Sequence, residues 1–538
     1  MSGLASQVSG SDGGAAGTSV SRNAQLNLIG HVVTGVVAFG CIPVTLGVLG
    51  LDRFGLLSLV WVLVGYFSLF GLGLGPAVTR TAAAALGSGQ IDRVPAIFWT
   101  ANRLQLSLGV VGAVVLAVLT PLLVDRVLNV PPSLHAEART SLYLSALALP
   151  CVLAWSSLCG VLQAARRFDL TNAAQVPLGV AHYALPLLCG LWWPNLAFVV
   201  AALLVSRLAG VVVLFWFATR VFPGFWSRRR FDTVEARTLF GFGGWMTVSS
   251  IISPVMVYAD RFLLGYFRSM AAVSYYSVPS DAAMRLLIIP GSLVGALFPV
   301  FSSSTDSADR GRLAVRGLKF VLILVGVPAV ALIALAPDLM TLWMGRDFAA
   351  RSSVPLQILL AGVVCNALAH VPSSLTQSTG RADLTAAIHI VELPAYLALA
   401  YVGISHWGAA GAAAAWSIRA AGDLVALLWM SRRSAGLSIR EVIGQRLPAM
   451  ALTLAGCTLL GIAAAHSLPV VVWRVLAAAV VCGLGAAVSW GACLSAGDRQ
   501  RFYGLARELR RLSPHLARQI EGQWSSTSAL AFGASRCQ

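Results

Sequence analysis

The sequence has 538 residues, of which 57% are hydrophobic and only 11% are charged, and its net charge is +17. Soluble domains carry about 25% charged residues, so this composition excludes a water-soluble enzyme or binding module of this size. Repeated apolar runs of about 20 residues can each cross a hydrocarbon core of about 30 Å as a helix. The alternating polar and apolar pattern of a transmembrane β-barrel does not occur in the sequence. The composition therefore predicts an all-α, polytopic integral membrane protein.

Fourteen apolar segments separated by turn signals have the length of transmembrane helices. They are placed at residues 26–49, 56–76, 104–124, 141–163, 173–192, 196–218, 239–258, 281–301, 317–343, 354–377, 384–403, 408–430, 447–466 and 469–493. An even number of spans puts both termini on the same side of the membrane.

Lys and Arg are distributed unevenly between the two sides of these predicted spans. There are 27 Lys and Arg residues in or at the edge of the N-terminal segment, the C-terminal segment and the connections that lead from an even-numbered to an odd-numbered span. The connections that lead from an odd-numbered to an even-numbered span contain 7. By the positive-inside rule, both termini are predicted to be cytoplasmic. This placement orients the chain in a membrane and does not form a phosphate-tracking face, so no nucleic-acid partner is expected.

The chain also contains an internal repeat, since three pairs of short motifs recur at near-equal offsets. Residues 163–171 match 377–385 at an offset of 214, Asp52-Arg53-Phe54 matches Asp260-Arg261-Phe262 at 208, and Arg207-Leu-Ala-Gly210 matches Arg419-Ala-Ala-Gly422 at 212. We therefore predict two pseudo-symmetric six-helix lobes, related by an axis along the membrane normal, as in transporters built from parallel repeats. Such duplicated bundles suit alternating access to a site at their interface.

Five regions follow from the repeat and the composition. They are a disordered cytoplasmic tail (1–22), an N-lobe (23–222), a C-lobe (236–433), an extra helix pair (446–493) and a basic cytoplasmic tail (494–538). In the last region, apolar residues recur every three or four positions between arginines. This pattern favours an amphipathic helix on the anionic cytoplasmic leaflet, with membrane lipids as its partners. A regulatory or partner-binding helix is the alternative.

Arginines inside or beside spans are the candidate ligands of an anionic substrate, because a guanidinium stays charged and matches phosphate oxygens. These residues are Arg207, Arg261, Arg285 and Arg419. Arg285 is the first choice because the corresponding N-lobe region is uncharged. The alternative for each is a side chain that reaches the headgroups, and Arg419 and Asp423, four residues apart, could also neutralise each other.

Glu392 and Asp423 are the acids well inside predicted spans, and His389 lies one helical turn before Glu392. These three residues are candidates for binding a coupling proton or Na⁺. A satisfied interhelical hydrogen bond is the alternative. Because no metal-ligand spacing and no nucleophile–base arrangement occurs, we expect no metal site, no cofactor and no catalytic residues.

Asp52 and Asp260 are predicted to lie in the links after the first and seventh spans, where they would belong to a gate or turn. Pro43 and Pro254 fall late in those two spans. Each proline removes a backbone donor, so each favours a hinge or, equally, a static kink in a gate helix.

Three segments resemble Wzx-type oligosaccharide flippases, which are polysaccharide-biosynthesis proteins of the multidrug/oligosaccharidyl-lipid/polysaccharide (MOP) exporter superfamily. The segments are 51–75 (LDRFGLLSLVWVLVGYFSLFGLGLG), 257–301 with YADRFLLG and IIPGSLVGALFPVF, and 380–394 (GRADLTAAIHIVELP). The resemblance covers about residues 26–490. It departs from the family at Gly71 and Pro76, where many relatives carry an acid and a base, so no role is carried over there.

The resemblance implies a MATE-like fold and a location in the bacterial inner membrane. It implies translocation of an undecaprenyl-diphosphate-linked oligosaccharide to the outer leaflet, driven by a proton or sodium gradient. Polysaccharide polymerases and glycosyltransferases are the implied protein partners, and the extra helix pair would contact the lipid tail. A cation or drug antiporter of the same superfamily is the main alternative; it would need more acids than bases inside the lobes. A membrane glycosyltransferase or polymerase is a weaker one, because no broad catalytic loop is present.

Overall fold

The structure is a computed structural model that describes residues 13–69, 74–222, 224–226, 231–303, 306–493 and 497. The described chain is almost entirely helical. Its α-helices are α1 (Gly13–Leu49), α2 (Leu51–Leu69), α3 (Leu74–Gly87), α4 (Val94–Leu122), α5 (His135–Ala164), α6 (Phe168–Trp192), α7 (Leu196–Val221), α8 (Thr233–Phe267), α9 (Met270–Met284), α10 (Ile288–Ser303), α11 (Ser307–Val321), α12 (Val327–Ala334), α13 (Ala336–Met344), α14 (Arg346–Ser378), α15 (Ala382–Ser434), α16 (Ile439–Gly444), α17 (Leu447–Ser467) and α18 (Val471–Val488).

The all-α membrane fold predicted from composition is confirmed. Among the described residues, eleven helices are long and apolar enough to cross a membrane. The described part of every predicted span is predominantly helical, but the number of fourteen spans stays a prediction. Helix α1 begins at Gly13, so residues 13–22 are helical where a disordered tail was predicted. The alanines in this segment favour helix, and an apolar helix already continues from its end. The predicted basic helix of the C-terminal tail lies outside the described residues.

Short polar residues begin several of these helices. Asn195 accepts hydrogen bonds from the second and third backbone amides of α7, at 2.9 and 3.2 Å. Asp232 caps α8 in the same way, at 2.8 and 3.3 Å. The Ser269 hydroxyl accepts from the Ala272 amide at the start of α9, at 3.1 Å. Each cap satisfies backbone donors that have no partner inside the helix.

The structure supports the 214-residue offset of the repeat. Arg166 and Gly380 both have left-handed backbones, with φ of 57° and 81°. Each is followed by an Arg–Asp ion pair at the start of the next helix, 2.9 Å for Arg167–Asp169 and 3.2 Å for Arg381–Asp383. The same turn therefore occurs twice, 214 residues apart.

The 208-residue match of the two Asp-Arg-Phe motifs is wrong. Helices α1 and α8 end at Leu49 and Phe267, which lie 218 residues apart. Asp52 is in the first turn of α2, whereas Asp260 lies inside α8, seven residues before its end. The two aspartates are not equivalent, because a three-residue identity is too short to fix the register of a repeat.

One compact unit comprises the described residues within 13–287, 336–369 and 380–427. Its first part has an apolar core between α3, α4, α5 and α7, in which Phe98 and Phe225 lie 4.7 Å apart between ring centroids. Helix α15 is kinked at Gly408, which has φ of 56° and ψ of −126°. The two arms of α15 (382–407 and 409–434) lie on either side of this kink, and Arg268 donates to the carbonyl of Ile404 at the end of the first arm, at 3.0 Å.

The other compact unit comprises the described residues within 288–335, 370–379 and 428–497. In this unit α17 packs against α18, where Gly485 lets the backbone approach the side chains of Leu454 and Cys457. A similar close approach brings Gly461 of α17 next to Ala334 of α12. These two units do not follow the boundaries 23–222 and 236–433, so the division into two lobes stays a prediction.

Candidate functional site

A buried group of charged and aromatic side chains connects α8, α9 and both arms of α15. Asp260 and Arg261 belong to it, with exposed fractions of only 1% and 4%. The link predicted at these residues is wrong, because α8 continues as one helix to Phe267 and α9 starts only after the cap at Ser269. The two charges are therefore inside the bundle and not in a connection.

The Asp260 carboxylate accepts two hydrogen bonds, one on each oxygen. The Tyr276 hydroxyl donates to one oxygen, and the backbone amide of Arg261 donates to the other at 2.8 Å. The hydroxyl of Tyr396 on α15 also interacts with this carboxylate. A buried carboxylate with these partners ties α8 to α9 and α15.

The buried Arg261 forms an ion pair with the partly exposed Asp281 of α9. Its Nη2 atom lies 2.5 Å from the carboxylate, and the two side chains are 5% and 34% exposed. The guanidinium also lies 5.7 Å from the centroid of the Tyr258 ring. Removing one partner of a buried pair typically costs about 3–5 kcal/mol because the other charge stays buried.

Arg285 lies directly after α9, in a 3₁₀ turn (Arg285–Leu287) that separates α9 from α10. Its Nη2 atom donates to the Tyr183 hydroxyl of α6 at 3.3 Å, and its guanidinium lies 5.8 Å from the Tyr183 ring centroid. The other Nη atom is next to Gly35 of α1, where a Cβ would lie 3.2 Å away. Within the described part of the chain, no carboxylate forms an ion pair with Arg285.

Tyr183 is part of an aromatic cluster with Trp61 and His182. Its ring centroid lies 5.5 Å from that of Trp61 and 4.9 Å from that of His182. These rings provide a neutral, amphipathic surface beside a cation, an arrangement that attracts sugar and phosphate groups together.

Arg419 is 9% exposed, and its guanidinium lies between two aromatic rings of α15. The centroid of Tyr396 is 5.7 Å away and that of Trp416 is 5.6 Å away. Because Tyr396 also interacts with Asp260, the two halves of the polar group are continuous. The structure thus brings together two of the predicted substrate ligands, Arg261 and Arg419, around the same carboxylate and tyrosine.

The three predicted ion-coupling residues also lie together. His389 Nε2 is 3.9 Å from the Asp423 carboxylate on the opposite arm of α15. Glu392 is subject to the charges of Asp423 and Arg419. Both Glu392 oxygens are buried and, among the described residues, have no hydrogen-bond partner. Such a carboxylate can bind a proton or a cation without first breaking a hydrogen bond to another protein group.

Arg207 is placed elsewhere. On α7 it lines a small cavity with Trp61, Ser145 and His182, and its charge acts on His182 and Cys151. It does not join Arg261 and Arg419 in the polar group, so a common site for all four predicted arginines is not formed here.

The predicted gate residues other than Asp260 lie at helix ends or within helices. Asp52 is in the first turn of α2, beside Arg53, whose guanidinium pairs with Glu137 at 2.9 Å. Pro43 lies inside α1 and position 254 lies inside α8. Their gate and hinge roles stay predictions.

Four residues at or beside the site were not among the site residues predicted from the sequence: Asp281, Tyr183, Tyr276 and Tyr396. Tyr396 could have been found, since His389, Glu392 and Tyr396 follow the i, i+3, i+7 spacing of one helix face. Tyr183 gave no such signal, because only the fold brings α6 to the turn after α9.

The charge balance of the site differs from the one assumed from the sequence. The polar group contains four carboxylates (Asp260, Asp281, Glu392 and Asp423) but only two of the predicted substrate arginines, Arg261 and Arg419. An excess of arginine over acid, which was expected to separate a carrier of anions from a cation antiporter, is therefore not observed.

Comparison with known proteins places the chain in a family. A family model described as Polysaccharide biosynthesis protein matches residues 20–305. A proposed O-antigen transporter of Shigella flexneri is 30% identical over 416 residues, which cover 77% of this chain and 98% of the relative. This agreement confirms the resemblance to Wzx-type proteins that the sequence motifs indicated.

Two solved structures share the fold. An inward-facing MATE family multidrug resistance transporter of the MOP superfamily has a TM-score of 0.62 at 14% identity, over 75% of this chain and 94% of its own. The lipid II flippase MurJ, in an inward closed conformation, has a TM-score of 0.60 at 13% identity, over 85% of this chain and 98% of its own. The chain belongs to the polysaccharide biosynthesis protein family and has the MATE-like fold of the MOP superfamily.

Proposed function

We propose that this protein is a flippase for a lipid-linked oligosaccharide in polysaccharide biosynthesis. The substrate is an oligosaccharide on undecaprenyl diphosphate, moved from the cytoplasmic to the outer leaflet of a bacterial inner membrane. Membership of the family supports this proposal, as do the names of two similar proteins, an O-antigen transporter and a lipid II flippase.

The observation that carries the proposal is the environment of Arg285. A partly buried guanidinium beside apolar helices normally has a carboxylate partner, but here its hydrogen-bond partner is the neutral hydroxyl of Tyr183. A diphosphate offers the charge and the geometry that this cation lacks. The neighbouring aromatic cluster of Trp61, His182 and Tyr183 can contact the first sugar.

Ion coupling is assigned to Glu392, Asp423 and His389. Two carboxylates and an imidazole within one buried group can exchange a proton or Na⁺ as the surrounding helices rearrange. Because Arg419 and Tyr396 connect this group to Asp260 and α8, a change of charge at Glu392 reaches the helices beside Arg285. This connection is the physical basis we propose for coupling an ion gradient to alternating access.

The orientation follows from the uneven distribution of Lys and Arg, which places both termini in the cytoplasm. The basic C-terminal segment (494–538) then binds anionic lipids of the cytoplasmic leaflet. Polysaccharide polymerases and glycosyltransferases are the proposed functional partners, because they consume and supply the lipid-linked oligosaccharide.

Replacing Arg285 by Ala tests the proposal in cells whose surface polysaccharide depends on this gene. We expect loss of surface polysaccharide at normal protein abundance, because a charged hydrogen bond to a diphosphate contributes about 1.5–3 kcal/mol. The matched control is Arg474→Ala in α18, whose guanidinium donates to the Leu468 carbonyl at 2.7 Å. Full polysaccharide in the Arg285 variant would remove the residue from the substrate site.

A cation or drug antiporter is the second candidate, because the polar group contains four carboxylates and the fold is shared with a multidrug transporter. Purified protein in vesicles distinguishes the two functions. An antiporter would expel an organic cation against a gradient, and Asp423→Asn would stop it. We expect instead movement of a fluorescent lipid-linked oligosaccharide, without organic-cation efflux.

A further inference from the structure

Asp281 and Arg285 have the spacing at which a helix brings an acid and a base together. The backbone of Arg285 is still helical, with φ of −63° and ψ of −24°, so the two residues are four positions apart on one helix face. At this spacing Cβ atoms lie about 5–6 Å apart, and an acid that precedes the base is the favourable order. Local geometry therefore offers Arg285 a partner that would cancel its charge.

The structure shows a different pairing. Asp281 binds Arg261 of α8 at 2.5 Å, and the hydrogen-bond partner of Arg285 is the Tyr183 hydroxyl. Asp281 nonetheless remains close, because its charge acts on the same Tyr183 side chain that Arg285 contacts. The acid is within reach of Arg285 but is held by another arginine.

Arg261 is well placed to hold this acid permanently. Its side chain is 5% exposed, so it has little freedom to leave. The neighbouring acid, Asp260, already accepts hydrogen bonds from Tyr276 and from a backbone amide. Asp281 is consequently the carboxylate that the Arg261 guanidinium contacts.

We propose that Arg261 is a positioning residue that sequesters Asp281 and so keeps the Arg285 charge available to a diphosphate. The proposal rests on the proposed function, since it takes a diphosphate as the ligand of Arg285. It assigns Arg261 an indirect role: Arg261 does not touch the substrate, although it is one of the arginines that the sequence suggests as a ligand. Loss of Arg261 releases Asp281, which then pairs with Arg285 and competes with the substrate.

A rescue experiment on the purified full-length protein in nanodiscs tests this inference. Binding of farnesyl diphosphate is titrated for wild type, Arg261→Gln, Asp281→Asn and the double variant. We expect Arg261→Gln to weaken binding about tenfold or more, the effect of one partly screened charge. The double variant should recover to within about threefold of wild type, because it no longer contains the competing acid. Asp281→Asn alone should bind as tightly as wild type or more tightly.

Three outcomes separate the possibilities. If the double variant binds as weakly as Arg261→Gln, Arg261 contacts the ligand itself and the inference is wrong. If Asp281→Asn loses affinity, the acid has a positive role and the inference is also wrong; this variant decides the matter even when Arg261→Gln does not fold. If Arg285→Ala binds farnesyl diphosphate like wild type, Arg285 is not a ligand of the diphosphate. That result contradicts the proposed function, whatever the role of Arg261.

A parallel titration with inorganic pyrophosphate separates the headgroup from the lipid. Both ligands should lose affinity by a similar factor in Arg261→Gln, because the effect acts on the diphosphate charge. Wild type should bind the isoprenyl compound more tightly, since the apolar chain adds its own contacts. A loss confined to the isoprenyl compound would place the effect of Arg261 on the lipid tail and contradict the inference.

Discussion

Gly55 of α2 packs against the backbone of Met270 at the start of α9, and replacing it by Ala gives a sharp test of the packing there. A Cβ at this position would lie 2.0 Å from the carbonyl oxygen of Met270 and 2.8 Å from its carbonyl carbon. Both are backbone atoms, so no side-chain rotation can make room. The two helices would have to separate by about 1 Å to reach an allowed contact.

The cost can be estimated from the contacts that such a shift would disturb. Forcing an extra methyl group into a packed interface costs about 1–3 kcal/mol. The Ser274 hydroxyl donates to the Leu51 carbonyl across the same interface at 2.6 Å, and its loss adds about 1 kcal/mol. Ala is better than Gly in a helix by about 1 kcal/mol, which offsets part of the cost. We expect Gly55→Ala to destabilise the protein by about 1–3 kcal/mol.

Gly65→Ala on the same helix is the matched control, because a Cβ added at this position would meet no atom of the described residues within 4 Å. It should be neutral or stabilising by up to about 1 kcal/mol through helix propensity alone. Thermal unfolding in detergent, followed by tryptophan fluorescence, measures both variants. If Gly55→Ala unfolds at or above the temperature of Gly65→Ala, α2 and α9 are not in contact in the dominant state and the reasoning fails.

Three other predictions concern the repeat and the site. Arg166→Gly should raise the unfolding temperature and Gly380→Ala should lower it, each by an effect of about 1 kcal/mol, because both positions have positive φ; equal shifts of one sign would contradict this. Glu392→Gln should leave diphosphate binding intact but abolish the dependence of transport on a proton or sodium gradient in vesicles, and unchanged gradient dependence would exclude Glu392 from coupling. Tyr183→Phe removes the neutral partner of Arg285 and should change diphosphate affinity by less than about tenfold, so a complete loss would mean that the phenol itself binds substrate.

Apolar run length was sufficient to predict most of the fold. The described part of every predicted span is predominantly helical, because a membrane leaves the backbone no other way to satisfy its hydrogen bonds. The boundary between α8 and α9 was missed for a physical reason. Asp260 and Arg261 look like a polar link when only neighbouring residues are considered. Their burial is explained by Tyr276, Asp281 and Tyr396, and the last of these lies 136 residues further along the chain than Asp260.

The candidate site was predicted less completely than the fold. Residue type identified Glu392, Asp423 and His389 as a possible group, and the structure does bring them together. Residue type could not show which acid pairs with which arginine, because that choice depends on how helices pack. The pairing of Arg261 with Asp281, in place of the local pair available to Arg285, is such a choice.

The repeat indicates which half of the chain can contain an ion-coupling site built on Glu392. At the supported offset of 214, His389 and Glu392 correspond to Gln175 and Leu178, and Tyr396 corresponds to His182. At this offset the first half of the chain thus has no counterpart of the carboxylate at position 392. An ion-coupling site built on that carboxylate can exist only in the second half. The first half of the chain contributes aromatic rings next to these charges. Its Tyr183 contacts Arg285, which belongs to the second half.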